Sequence, residues 1–123
     1  MVSVEVSGND IRRIVSSGHA EYAKSGEDIV CAAVSVLMQA AVNGIVLVLG
    51  KDEAKKYYKI VSEDKLQVEF PHIEDEIKEA QMKLLFDNTC VNLEALTLLY
   101  EKNIHVVKKE GKNDNNRFTI FRQ

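Results

Sequence analysis

The stretch DIVCAAVSVLMQAAVNGIVLVLG, residues 28–50, decides the fold of this chain. Within residues 29–49 it is apolar around nearly the whole circumference of a helix, interrupted only by Ser35, Gln39, Asn43 and Gly44. A helix of that kind must be buried on more than one side. We therefore expect a core helix over Ile29–Leu49, capped by Asp28 and packed on a sheet and also on a second helix or a partner subunit.

Alternating apolar residues on both sides of this stretch predict β-strands. The expected strands are VSVEV (residues 2–6), Ile11–Ser17, Tyr57–Ser62, Leu66–Phe70, IHVVKK (104–109) and RFTIF (117–121). Apolar spacing of three and four residues predicts a second long helix from Ile73 to Lys102, continuous through residues 87–89. The order is approximately ββαββαββ, which indicates an α+β fold with a mainly antiparallel sheet and two long helices. At 123 residues, the chain is expected to form one domain over residues 1–123.

Composition and charge exclude several classes of function. The chain is 46% hydrophobic and 28% charged, and its net charge of -3 gives no general attraction to nucleic acid or anionic membranes. Residues 29–49 have nearly the length of a membrane span, but a buried helix in a small domain produces the same pattern, and we favour that interpretation. The N-terminus has no basic region followed by an apolar one, as a secretory signal would. We expect a cytoplasmic protein with reduced thiols.

Metal-binding patterns are missing from the sequence. It contains no CxxC pair and no HExxH motif, and His72 and His105 stand alone. We therefore expect no metal and no cofactor. Cys90 lies inside the second predicted helix and is interpreted as a small buried hydrophobic residue.

Cys31 is the candidate nucleophile. If Asp28 caps the helix, Cys31 is the third helical residue, where unpaired backbone N–H groups and the helix dipole favour a thiolate. His19 lies twelve residues upstream and is the natural proton partner. Asp28 and Ser35 share the helix face of Cys31 and could orient His19 or a substrate. The segment between histidine and helix is predicted to be a flexible loop of Ala20, Glu21, Tyr22, Ala23, Lys24, Ser25, Gly26 and Glu27.

The motifs GHA (residues 18–20) and DIVCAAVS (28–35), with the interval from His19 to Cys31, resemble the Prp family of ribosomal-processing cysteine proteases. The resemblance implies an endopeptidase with Cys31 as nucleophile and His19 as general base and acid, and a loop that closes over a bound peptide. It also implies a substrate, the N-terminal extension of a large-subunit ribosomal protein cut after aromatic residues, and a homodimer. The final GKNDNNRFTIFRQ (111–123) extends past the strand at which such proteins commonly end.

Two other functions fit the same residues. A ribosome-associated binding module without activity would have a purely structural Cys31 that reacts slowly with iodoacetamide. A redox-sensing thiol would need Cys90 as its resolving partner. The sequence does not identify the residues that recognise a peptide. Leu37 and Met38 are candidates, but apolar residues at helical spacing also fit a hydrophobic core.

Overall fold

The computed structural model describes residues 2–8, 11–18, 27–62 and 65–110. Its elements are β1 (Val2–Ser7), β2 (Arg12–Ser17), α1 (Glu27–Leu49), α2 (Lys51–Ala54), a 3-10 turn (Lys55–Tyr57), β3 (Tyr58–Ser62), β4 (Lys65–Phe70), α3 (Glu76–Leu99) and β5 (Ile104–Glu110). The α+β class is confirmed. The prediction of two long helices fits in part, because a third helix is present and α3 spans Glu76–Leu99 and not Ile73–Lys102. The short helix α2 was not predicted, and the predicted strand RFTIF lies outside the described residues.

The sheet is mixed, with strand order β3-β4-β2-β1-β5. The pairs β1–β2, β2–β4 and β3–β4 are antiparallel, whereas β1 and β5 are parallel. The prediction of a mainly antiparallel sheet is therefore correct in part. The parallel pair arises because α3 carries the chain back along the sheet, so that β5 starts beside the start of β1.

Both long helices pack on one face of the sheet. Val6, Ile14 and Val68 are opposite one another on three adjacent strands and are all buried beneath the helices. The helices supply Val30, Met38, Ile45, Met82 and Phe86 to the same core. The core position of α1 follows from this packing. By length and hydropathy alone, Ile29–Leu49 could cross a membrane, but core helices of water-soluble proteins meet the same criterion.

The contact between α1 and α3 is close at Gly44. A Cβ atom placed there would lie 2.5 Å from Cδ2 of Leu85. Leu85 is half-buried, so its side chain has some freedom to move aside for a methyl group but not for a larger branch.

We expect Gly44→Ala to change the free energy of unfolding by less than about 1 kcal/mol, because the helix propensity gained offsets the displacement of Leu85. Gly44→Val should destabilise the protein by about 1–3 kcal/mol through overpacking. Urea denaturation of both variants checks this. Equal stability of the two would show that the helices do not approach closely at Gly44.

A buried arginine joins three elements at the end of the sheet where β2 begins. Arg12 is 3% exposed and donates from Nε to the carbonyl of Phe70 at 3.1 Å and from Nη2 to that of Pro71 at 2.8 Å. Its Nη1 and Nη2 also donate to the two carboxylate oxygens of Glu79 in α3, at 2.9 and 2.8 Å. The N–H of Ile73 donates to the same carboxylate at 2.9 Å. This network fixes the start of α3 against β2 and β4.

The network also controls acid stability. Hydrogen bonds from Arg12, above all, lower the pKa of Glu79 from 4.5 to about 2, against an opposing effect of burial. Because the pKa of Glu79 is lower in the folded state than in the unfolded chain, the carboxylate stabilises the fold at pH values above the unfolded-state pKa. This stabilisation is lost as the pH falls and Glu79 is protonated.

We expect the free energy of unfolding to fall by about 1–2 kcal/mol between pH 4.5 and pH 2 through this group, since partial exposure of Glu79 reduces the full effect. Urea denaturation as a function of pH measures it. In Glu79→Gln the free energy of unfolding should change less with pH over this interval than in the unchanged protein. An equal dependence on pH in both proteins would show that Glu79 does not control acid stability.

Candidate active site

Cys31 lies near the N-terminal end of α1 and is half-buried, in contact with the edge of the hydrophobic core. Ser35 follows one turn later on the same side of the helix and is exposed. Cys31 is therefore accessible enough to meet a ligand, while the helix fixes the direction of its side chain.

The predicted helix start was wrong by two residues. The helix begins at Glu27, so Asp28 is its second residue and not its cap, and Cys31 is the fifth residue and not the third. Glu27, predicted as the end of the flexible loop, belongs to the helix. The cause is that Asp28 adopts helical backbone geometry, which moves the capping position upstream of the described helix. The N–H groups without a helical acceptor thus precede Cys31 by about one turn.

The chain leaves the sheet towards His19 at the end of β2. Ser17 is the last residue of that strand and pairs with Ser3 of β1 and Lys65 of β4. Gly18 follows with a φ of 146°, a left-handed backbone conformation that favours glycine. His19 and loop residues 20–26 lie outside the described residues, so the dyad of His19 and Cys31 stays a prediction.

The second cysteine occupies the place predicted for it. Cys90 is fully buried in α3, in the same core as Phe86 and Leu93. Both cysteines are described and no disulfide joins them. Among the described residues, no three His, Cys, Asp or Glu side chains cluster in a way that could hold a metal ion.

Sequence reasoning missed the network of Arg12. A usable signal was present, since Arg12 precedes Ile14 and Ser16 on the inward-facing side of β2 and its burial follows from the period of two. The exposed apolar residue Ile60 on β3, 77% exposed, was also not singled out.

A known protein family and one of its members are similar to this chain in sequence. The sequence model of the family described as "Cysteine protease Prp" matches residues 1–105, which include His19 and Cys31. The ribosomal processing cysteine protease Prp of Bacillus subtilis (strain 168) is 30% identical over 92 residues, which is 73% of this chain and 79% of that protein.

Solved structures share the fold. A ribosomal processing protease Prp from S. aureus, in complex with a substrate peptide, superposes with a TM-score of 0.68 at 21% identity, over 89% of this chain and 100% of that one. A Streptococcus mutans protein has a TM-score of 0.61 at 19% identity, over 87% of this chain and 90% of its own. The family match over most of the sequence and the Bacillus relative together show that this chain belongs to the Prp family of cysteine proteases.

Proposed function

We propose that this protease removes the N-terminal extension of a large-subunit ribosomal protein in the cytoplasm, with Cys31 as nucleophile and His19 as general base and acid. The observation that carries the proposal is the family match, which includes both residues, together with a half-buried Cys31 near the start of α1. The Bacillus relative is a ribosomal processing protease, which supports the substrate class.

The mechanism forms and breaks a thioester. His19 accepts the thiol proton of Cys31, and Sγ attacks the carbonyl carbon of the scissile peptide bond to form a tetrahedral intermediate. His19 then gives the proton to the leaving amine as the C–N bond breaks. Water, deprotonated by His19, attacks the thioester carbonyl. The C–S bond breaks, the carboxylate product leaves, and the proton returns to the thiolate.

Backbone N–H groups are suited to stabilise the oxyanion of both tetrahedral intermediates. Those at the start of α1, at Glu27 to Ile29, have no acceptor within the helix. They carry the positive end of the helix dipole and would act as hydrogen-bond donors to a developing negative charge. Ser35 and Asp28, on the side of Cys31, are proposed to orient His19 or the peptide.

A cleavage assay tests the proposal. The purified protein is mixed with the precursor that carries the extension, and mass spectrometry should find two fragments whose masses sum to the precursor plus one water. A precursor left intact would overturn the proposal. Cys31→Ala should leave the precursor intact. Cys90→Ala is its matched control, because it removes the buried thiol and should retain cleavage.

The second candidate is a binding module without activity, with a structural Cys31. Iodoacetamide separates the two candidates, since a merely structural thiol reacts slowly at neutral pH. A protein that binds the precursor, leaves it uncleaved and resists alkylation at Cys31 would favour the binding module.

We also propose a homodimer formed through the outward faces of α1 and α3. Each helix has an exposed apolar stripe opposite its buried side: Ile29, Val36 and Leu47 on α1, and Ile77, Leu84 and Leu98 on α3. Leu47 is 88% exposed. The two helices pack side by side, so the stripes are adjacent and form a surface of the kind that a second copy covers.

Sedimentation equilibrium should find a dimer whose dissociation constant rises at least about tenfold in Leu47→Glu, because a charge replaces buried apolar area. Val61→Glu makes an equal change on β3 and should leave the dimer intact. A monomer at all concentrations would contradict the proposed dimer, without bearing on cleavage.

A further inference from the structure

An apolar surface beside α1 has no role in the account so far. Val4, Ser16, Leu66 and Ile60 form one row across four strands, on the sheet face covered by the helices. The burial of these side chains decreases from β1 to β3. Val4 is fully buried, Leu66 is half-buried and packs against the core, and Ile60 is 77% exposed. We call Ile60 and Leu66 the β3 ledge.

The direction of Cys31 follows from helix geometry. Gly44 faces α3, since Leu85 lies directly against it. At 3.6 residues per turn, Cys31 is rotated by about 140° from Gly44, and Ser35 lies close to the direction of Cys31. Val30, fully buried, faces the core between the two. Cys31 therefore faces away from α3. Because α1 contacts β4 whereas α3 contacts β5, at the sheet edge opposite β3, this side of α1 is directed towards β4 and β3.

The β3 ledge also lies at the end of the sheet where the chain leaves for His19. Leu66 is opposite Ser16, Lys65 is opposite Ser17, and Gly18 follows Ser17 directly. The C-terminal end of α1 leads through residues 50–57 to the start of β3, where Tyr58 is opposite Val68, nearer the other end of the sheet. We infer that the N-terminal end of α1, with Cys31, lies at the same end of the sheet as the ledge and the exit towards His19. Helix α2 follows the C-terminal end of α1 directly and contacts α1 there, with Ala54 buried.

We propose that the β3 ledge binds an apolar side chain of the substrate peptide beside the scissile bond and so determines specificity. This inference rests on the proposed function, because it requires a peptide at Cys31. An extended peptide presents alternate side chains to the same surface, and a large apolar one placed on Ile60 and Leu66 removes apolar area from water on both partners. A peptide with a charged residue at that position would lose this contribution.

The test uses Ile60→Glu, a change on an exposed position that the fold tolerates. Its matched control is Lys59→Gln, which changes the net charge equally and lies on the same strand, on the opposite face. Precursor peptides are prepared in which each apolar residue flanking the cleaved bond is replaced in turn by lysine. The kcat/KM of each enzyme is measured on each peptide, together with the rate at which iodoacetamide alkylates Cys31.

We expect kcat/KM of Ile60→Glu on the unaltered peptide to fall at least about tenfold, mainly through KM, with the alkylation rate of Cys31 unchanged. Lysine at one peptide position should lower the kcat/KM of the unchanged enzyme. In Ile60→Glu the same lysine should lower kcat/KM by a factor at least about tenfold smaller, because the charges of the glutamate and the lysine are complementary. Lys59→Gln should behave as the unchanged enzyme. Cleavage by Ile60→Glu with unaltered specificity would overturn the ledge alone. Failure of the unchanged enzyme to cleave any peptide would overturn both the ledge and the proposed function.

Discussion

Replacing Cys31 with serine is expected to reduce kcat/KM for precursor cleavage at least about a thousandfold. The hydroxyl has nearly the same shape as the thiol but is a far weaker nucleophile without a site built to activate it. Because Cys31 is only half-buried, thermal unfolding should stay within a few degrees of the unchanged protein. Kinetic assays and a melting curve on the same preparation separate the two effects.

His19→Ala should give a smaller loss, of about a hundredfold to ten-thousandfold, since it removes the proton acceptor and leaves the nucleophile in place. His72→Ala is the matched control, because His72 is exposed and its Nδ1 lies 3.7 Å from Oε2 of Glu79, just beyond the end of β4. Equal activity of His19→Ala and His72→Ala would remove His19 from the mechanism.

Arg12→Met is expected to destabilise the fold by about 3–5 kcal/mol. The variant leaves the carbonyls of Phe70 and Pro71 without their donor and the carboxylate of Glu79 without its counterion. Arg12→Lys should be intermediate, because an ammonium group cannot reproduce the bidentate contact with Glu79.

Urea denaturation measures these differences. The matched control is Arg13→Met, one residue along the same strand, where the arginine is partly exposed and lies 3.9 Å from Glu69. Its cost should be below about 1 kcal/mol, as is usual for exposed ion pairs. Equal costs at positions 12 and 13 would contradict a structural role for the buried network.

Local patterns predicted the elements of this fold well. The helix over Ile29–Leu49 was expected from its apolar character and is observed as Glu27–Leu49, and the long second helix runs unbroken from Glu76 to Leu99. The pairs β1–β2 and β3–β4 follow from the alternation of apolar residues and from the short polar segments of sequence between the strands. Such features depend on neighbours in sequence, which is why a single sequence indicates them.

Long-range features were less accessible. The parallel pairing of β1 with β5 depends on where α3 returns the chain, and no local pattern encodes that. The cap position was misplaced because Asp28 is acceptable both as a cap and within the first turn of a helix. The candidate dyad came from the spacing of His19 and Cys31 and from the family resemblance, whereas the β3 ledge required the sheet register.

The most direct test of the central claim is the mass of the protein during turnover, after acid quenching of its reaction with the precursor. A thioester mechanism predicts a covalent adduct equal to the N-terminal fragment minus one water, located at Cys31 and absent from Cys31→Ala, which should leave the precursor intact. Cleavage by Cys31→Ala at the rate of the unchanged protein would contradict the account.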